Sequence, residues 1–85
     1  MKFTTAFKAI LKQKKVSYAK LGDAVATTGG KKVSGAAVGS MVKKGNPSFD
    51  AAKPYLDALG YDVVLVPKGS AALLPEGSYV IDGED

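Results

Sequence analysis

Two serines stand three residues ahead of a lysine, Ser17 before Lys20 and Ser40 before Lys43. At that spacing a lysine amine could take the proton of a serine hydroxyl, the pairing used by one class of serine acyl-transfer enzymes. The chain has no histidine or cysteine to assist, and 85 residues are too few for the fold that carries this pairing. In a chain rich in serine and lysine, two such matches arise readily by chance, so catalysis is not expected. Gly29-Gly30-Lys31-Lys32 has the composition of a phosphate cradle without the spacing of a P-loop, and reads as a turn. A more specific arrangement runs from Ser34 to Lys44, where Ser34, Gly35, Ala36, Ala37, Gly39 and Ser40 leave little side-chain bulk between Lys31/Lys32 and Lys43/Lys44. Such a face suits a backbone that must approach a nucleic-acid groove. Alanines can touch thymine methyls, serines can bond base edges or phosphates, and lysines at either end meet phosphate strands.

Charge is distributed to match. Residues 1–53 carry eleven lysines against Asp23 and Asp50, a net of +9. Residues 54–85 carry Lys68 against Asp57, Asp62, Glu76, Asp82, Glu84 and Asp85, a net of −5. A basic working surface followed by an acidic tail is one reading, and lysines kept for solubility is the plainer one. Every basic residue is lysine; arginine, the commonest bidentate reader of guanine, is absent. Phosphate attraction is therefore expected to be strong and guanine readout limited. No metal or cofactor is implied. No apolar run approaches the ~20 residues of a membrane span. The N-terminus, interrupted by Lys8, does not read as a secretory signal, so the cytoplasm is the expected compartment.

The elements that would position these residues follow from periodicity. Phe3, Phe7, Ile10 and Leu11 share one face of a first helix ending in Lys12-Gln13-Lys14-Lys15. Ser17 is a good N-cap for a second, with Tyr18, Leu21 and Val25 inward, and its first N–H groups could face a phosphate. Ser34 caps a third helix over roughly 35–44, whose buried face is Val38, Met41 and Val42 and whose C′ residue is Gly45. Gly35 and Gly39 cost that helix roughly 1 kcal/mol each against alanine, which calls for a packing or functional reason. Asn46 follows, within reach of base or backbone. Ser48 caps a fourth helix with Phe49, Ala52, Leu56 and Leu59 inward and Gly60 as its stop. Pro54 should kink this helix or split it in two.

Beyond Gly60 the pattern changes. Tyr61-Asp62-Val63-Val64-Leu65-Val66 is β-branched and apolar on both faces, and predicts a strand. Ser78 to Asp82 predicts a weaker one, and Gly83-Glu84-Asp85 a frayed end. A lone two-stranded ribbon is marginal. The first strand is therefore expected to pair with its copy through Tyr61, Val63, Val64, Leu65 and Val66, or the hairpins of two subunits to join. With no disulfide to reinforce a core this small, dimerisation is the natural remedy.

YAKLGDAV, VSGAAVGSMVKKG and NPSFDAAKPYLDALG, which with the first helix cover about residues 3–60, resemble the lambda-repressor-like, Cro-type (XRE) helix-turn-helix family, the last segment most specifically. The resemblance implies a mainly α bundle of four to five helices over residues 1–60, followed by a C-terminal β-strand or hairpin extension over 61–85. It implies a prokaryotic or phage-encoded DNA-binding regulator whose third helix enters the major groove, with bases read by Ser34, Gly35, Ala36, Ala37 and Ser40. Phosphate contacts would come from near Ser17, Tyr18, Lys43 and Asn46, joined by Lys31, Lys32 and Lys44. Three features depart from the family pattern: the long turn at 27–32, Tyr18 and Ala19 where a glutamine is often found, and Pro54. The expected function is sequence-specific binding of double-stranded DNA as a dimeric repressor. Two alternatives share the fold: an antitoxin whose tail also engages a toxin, and a protein-interaction module that binds no DNA.

Overall fold

In the computed structural model, which describes residues 1–45 and 47–83, the first helix, α1, spans Phe3–Lys14. It buries Ala6, Phe7, Ile10 and Leu11, and Phe3 stacks on Phe7 with ring centroids 5.7 Å apart. Lys12 and Lys14 lie in its last turn, where cations offset the partial negative charge of free carbonyls. Lys15 then turns left-handed at φ 56°, and Val16 N–H reaches back to the Leu11 carbonyl at 3.0 Å. That six-to-one bond is the helix-ending pattern usually built on glycine.

Three serines open the next three helices. Ser17 caps α2 (Tyr18–Thr27), accepting from Lys20 N–H. Ser34 caps α3 (Gly35–Lys44), accepting from Ala37 N–H. Ser48 caps α4 (Phe49–Ala58), accepting from Ala51 N–H. Each hydroxyl satisfies one of the orphan donors of a helix start, typically worth about 1 kcal/mol. Gly45, at φ 76°, closes α3 as expected. The core is made where these helices meet: Phe7, Ile10 and Leu11 from α1, Leu21 from α2, Val38, Met41 and Val42 from α3, and Leu59 at the end of α4. No buried side-chain polar atom lacks a partner among the described residues. Among the described residues no helix is long and apolar enough to cross a membrane.

Two expected core positions need correction. Tyr18 is not a core residue; about a third of it is exposed, and its ring lies against α3 instead. Phe49, the first residue of α4, is 54 % exposed, because the core meets α4 only from Ala52 onward. Tyr55 takes the aromatic role, edge-on to Phe7 at 6.3 Å. Pro54, expected to kink α4 or split it, does not split it: the helix runs unbroken from Phe49 to Ala58. It denies the Asp50 carbonyl its donor, but α4 is anchored on both sides of it by Ala52 and Leu56 in the core.

The C-terminal segment also differs. Among the described residues no strand is present, and 61–67 form neither helix nor turn. A 3₁₀ turn occupies Ala71–Leu73. The chain then returns to α1. Tyr79 packs against the core and its hydroxyl bonds Gln13 Oε1 at 3.4 Å. The Met1 α-amino group pairs with Asp82 at 2.7 Å, while Asp82 N–H donates to the Met1 carbonyl at 3.1 Å. Tyr61 meets Tyr79 ring to ring at 6.2 Å and donates its hydroxyl proton to the Gly77 carbonyl at 3.0 Å. The acidic tail is thus tied to the body at 77–82, and the intervening residues form a loop closed at its base. Of the frayed end expected at Gly83-Glu84-Asp85, only Gly83 is among the described residues, where it forms a bend.

Candidate nucleic-acid interface

Helices α2 and α3 pack closely because three glycines let them. Gly22 is buried in the middle of α2, and a Cβ there would fall on the Val33 carbonyl oxygen. Its own carbonyl accepts from Val33 N–H at 3.1 Å, which holds the turn before α3 against α2. At Gly35 a Cβ would sit 3.2 Å from Ala19 N and 3.4 Å from Ala19 Cα. At Gly39 it would sit 3.5 Å from the Tyr18 ring. Gly35 and Gly39 therefore face α2. The room expected to admit a duplex is taken up by the protein's own backbone and a tyrosine. Gly22, which sequence reasoning passed over, is the tightest of the three; a glycine amid the apolar positions of an amphipathic helix was the available signal.

What remains on the outer face of α3 is small and uncovered. Ala36, Ala37, Ser40, Lys43 and Lys44 are all exposed. The Ser34 hydroxyl is occupied as the α3 cap, and the Ser17 hydroxyl as the α2 cap. Lys31 and Lys32 are exposed in the turn ahead of α3, and Lys32 Nζ lies 3.4 Å from Asp23 Oδ1. That pair is largely solvated and so worth little; it still orients Lys32 along α2. Asn46 lies outside the described residues.

A second basic feature was not anticipated. Lys8, Lys12 and Lys15 line an open groove of about 470 Å³ with Ser17 and Tyr18. Lys8 and Lys12, four residues apart, share one side of α1, and Lys15 joins them from the left-handed turn that ends the helix. The groove ends at the start of α2, where unpaired backbone N–H groups add partial positive charge. Tyr18 belongs to the groove wall and also lies on Gly39 of α3. One aromatic ring therefore touches both the lysine groove and α3. A smaller groove of about 290 Å³, between the 28–30 turn and α4, contains Asp50, Lys53 and Asp57. There the Asp57 carboxylate, hydrogen-bonded to Lys53 Nζ at 2.7 Å, raises the pKa of that lysine above its ordinary value, with Asp62 a minor contributor. With two carboxylates to one lysine, this groove does not favour an anion.

Of the dimerisation residues expected from sequence, Tyr61 packs against the core and against Tyr79. Val63, Val64, Leu65 and Val66 are exposed, to 53, 68, 98 and 45 %. No hydrogen bond joins Ser17 to the Lys20 amine or Ser40 to the Lys43 amine among the described residues.

No protein-family model, curated protein or solved structure matches this chain.

Proposed function

We propose that this protein binds double-stranded DNA sequence-specifically as a small dimeric transcriptional repressor, with α3 in the major groove. The observation that carries the reading is the outer face of α3: Ala36, Ala37 and Ser40 lie uncovered between Lys31/Lys32 and Lys43/Lys44, beside a groove holding three further lysines. A helix with short side chains can seat its backbone close to base edges, and flanking lysines suit the phosphate strands on either side. Lys8, Lys12, Lys15 and the start of α2 are placed to take a phosphate next to the groove that α3 enters. With no arginine, glutamine or asparagine on α3, base discrimination falls to contacts with thymine methyls and to Ser40.

The test is selection of bound sequences from a random DNA pool, followed by affinity against salt. Recovery of a two-fold symmetric site is expected, with half-sites about one helical turn apart. Each phosphate neutralised should contribute about −0.9 to the slope of log K against log salt. Recovery of no preferred sequence, with affinity insensitive to salt, removes the reading. The uncovered apolar residues Val63 to Val66 favour a second element of function, contact with another protein chain. In the antitoxin version that chain is a toxin; in the simpler version it is another copy of the repressor.

A further inference from the structure

Residues 62–66 combine three properties. They make no backbone hydrogen bond among the described residues. Four of the five are large apolar side chains open to solvent, Leu65 almost completely. They also lie in a loop whose base is closed by the Tyr61 hydroxyl on the Gly77 carbonyl, so part of the ordering cost of a partner's arrival is met in advance. A β-branched run with unpaired backbone is a template for another strand. The flanking charges say which strand. The run is bounded by Asp62 on one side and Lys68 on the other, and neither forms an ion pair among the described residues. Such a segment is complementary to itself only when two copies run antiparallel.

We infer that residues 62–68 pair antiparallel with the same residues of a second copy of this chain, with Leu65 on the two-fold axis and Asp62 opposite the partner's Lys68. In this register Val64 faces the partner's Val66, and Val63 faces the partner's Pro67. Proline cannot donate to a ladder, which fixes the phase. Val63–Pro67 and Leu65–Leu65 must be the non-hydrogen-bonded pairs, and Val64–Val66 and Asp62–Lys68 the pairs that exchange backbone bonds. Opposite charges then meet directly at both ends of the ladder. A parallel arrangement would set Asp62 against Asp62 and Lys68 against Lys68. The inference deepens the dimeric part of the reading above and does not depend on DNA.

The natural chain contains no cysteine, so single cysteines report the register cleanly. Leu65→Cys, Val63→Cys and Leu73→Cys all replace exposed side chains, which spares the fold. Across a non-hydrogen-bonded pair the Cα atoms are about 4.5 Å apart, within disulfide range. Two copies of residue 63 would be offset by four residues, roughly 13 Å along the strand. Mild oxidation is expected to cross-link Leu65→Cys quickly, and Val63→Cys and the loop control Leu73→Cys only slowly. Sedimentation of the natural chain at tens of micromolar should show a dimer. Asp62→Lys and Lys68→Asp should each weaken it roughly tenfold, as two like-charged pairs replace two opposite ones, and the double exchange should restore it. A monomer at that concentration overturns the inference, leaving these residues to an unlike partner or to the chain's own loop. Equal cross-linking at all three positions, or single exchanges without effect, overturns the register. DNA affinity is measured separately: a monomer that still selects a DNA sequence refutes only the pairing, and a dimer that selects none refutes only the DNA reading.

Discussion

Alanine at each of the three glycines between α2 and α3 should give three different outcomes, because the space available to a Cβ differs. In a helix interior, glycine to alanine gains about 1 kcal/mol of propensity. At Gly39 the new methyl meets the Tyr18 ring at an ordinary 3.5 Å, so nothing opposes the gain. Gly39→Ala should stabilise by up to about 1 kcal/mol. Gly35 is the first residue of α3, where less of that gain applies, and its Cβ would approach Ala19 N to 3.2 Å. Gly35→Ala should be close to neutral. At Gly22 the methyl would displace the Val33 carbonyl and strain the Val33 N–H bond to the Gly22 carbonyl. Overpacking costs typically 1–3 kcal/mol and a lost hydrogen bond about 1 kcal/mol. After the propensity gain, Gly22→Ala should lose about 1–3 kcal/mol. For a domain this size that lowers Tm by roughly 4–8 °C for each kcal/mol. Urea unfolding of the four chains, with m-values compared, measures the series. Equal or greater stability of Gly22→Ala would refute the close approach of α2 to the turn before α3. DNA binding adds a second readout. If Gly39 is a spacer against Tyr18, Gly39→Ala binds DNA with unchanged affinity; if glycine is there so that α3 can sit deep in the groove, the same variant binds more weakly while being more stable.

Three further outcomes follow from the site. Lys12→Ala and Lys15→Ala, in the groove at the start of α2, should weaken DNA binding across all sequences and reduce the salt slope by about 1 each; variants with unchanged slopes would take the groove out of the interface. Replacing Ala36 or Ser40 with a larger residue should change which sequences are selected, whereas Lys43→Ala should lower affinity for all of them alike; preferences identical to the parent in every case would remove α3 from base contact. Acetylating the Met1 α-amine cancels its ion pair with Asp82. Exposed pairs are worth about 0–1 kcal/mol, so Tm should barely move, but amide exchange at 79–82 should quicken, and unaltered exchange would show that Tyr79 holds the tail without the pair.

The helices were legible because their signals are local. Ser17, Ser34 and Ser48 each act within three residues of chain, and apolar spacing selects Val38, Met41 and Val42 whatever else surrounds them. The exposed small face of α3 with its terminal lysines was legible for the same reason. Aromatic burial was not: Tyr18 and Phe49 share the periodicity of core residues, yet lie where the bundle ends.

The purpose of the glycines belongs to the tertiary structure. Composition marks Gly35 and Gly39 as unusual for a helix, but whether the missing side chain makes room for a ligand or for the chain itself depends on a neighbour sixteen to twenty-one residues away, at Ala19 and Tyr18. The lysine groove is more local, since its lining residues all lie between Lys8 and Tyr18, but it exists only because the chain turns at Lys15 from α1 into α2. The C-terminal run marks the limit from the other side. Its residues carry β propensity, yet a strand exists only by pairing, and a single chain folds 77–82 onto α1 through Tyr79 and Met1 while 62–66 stay unpaired.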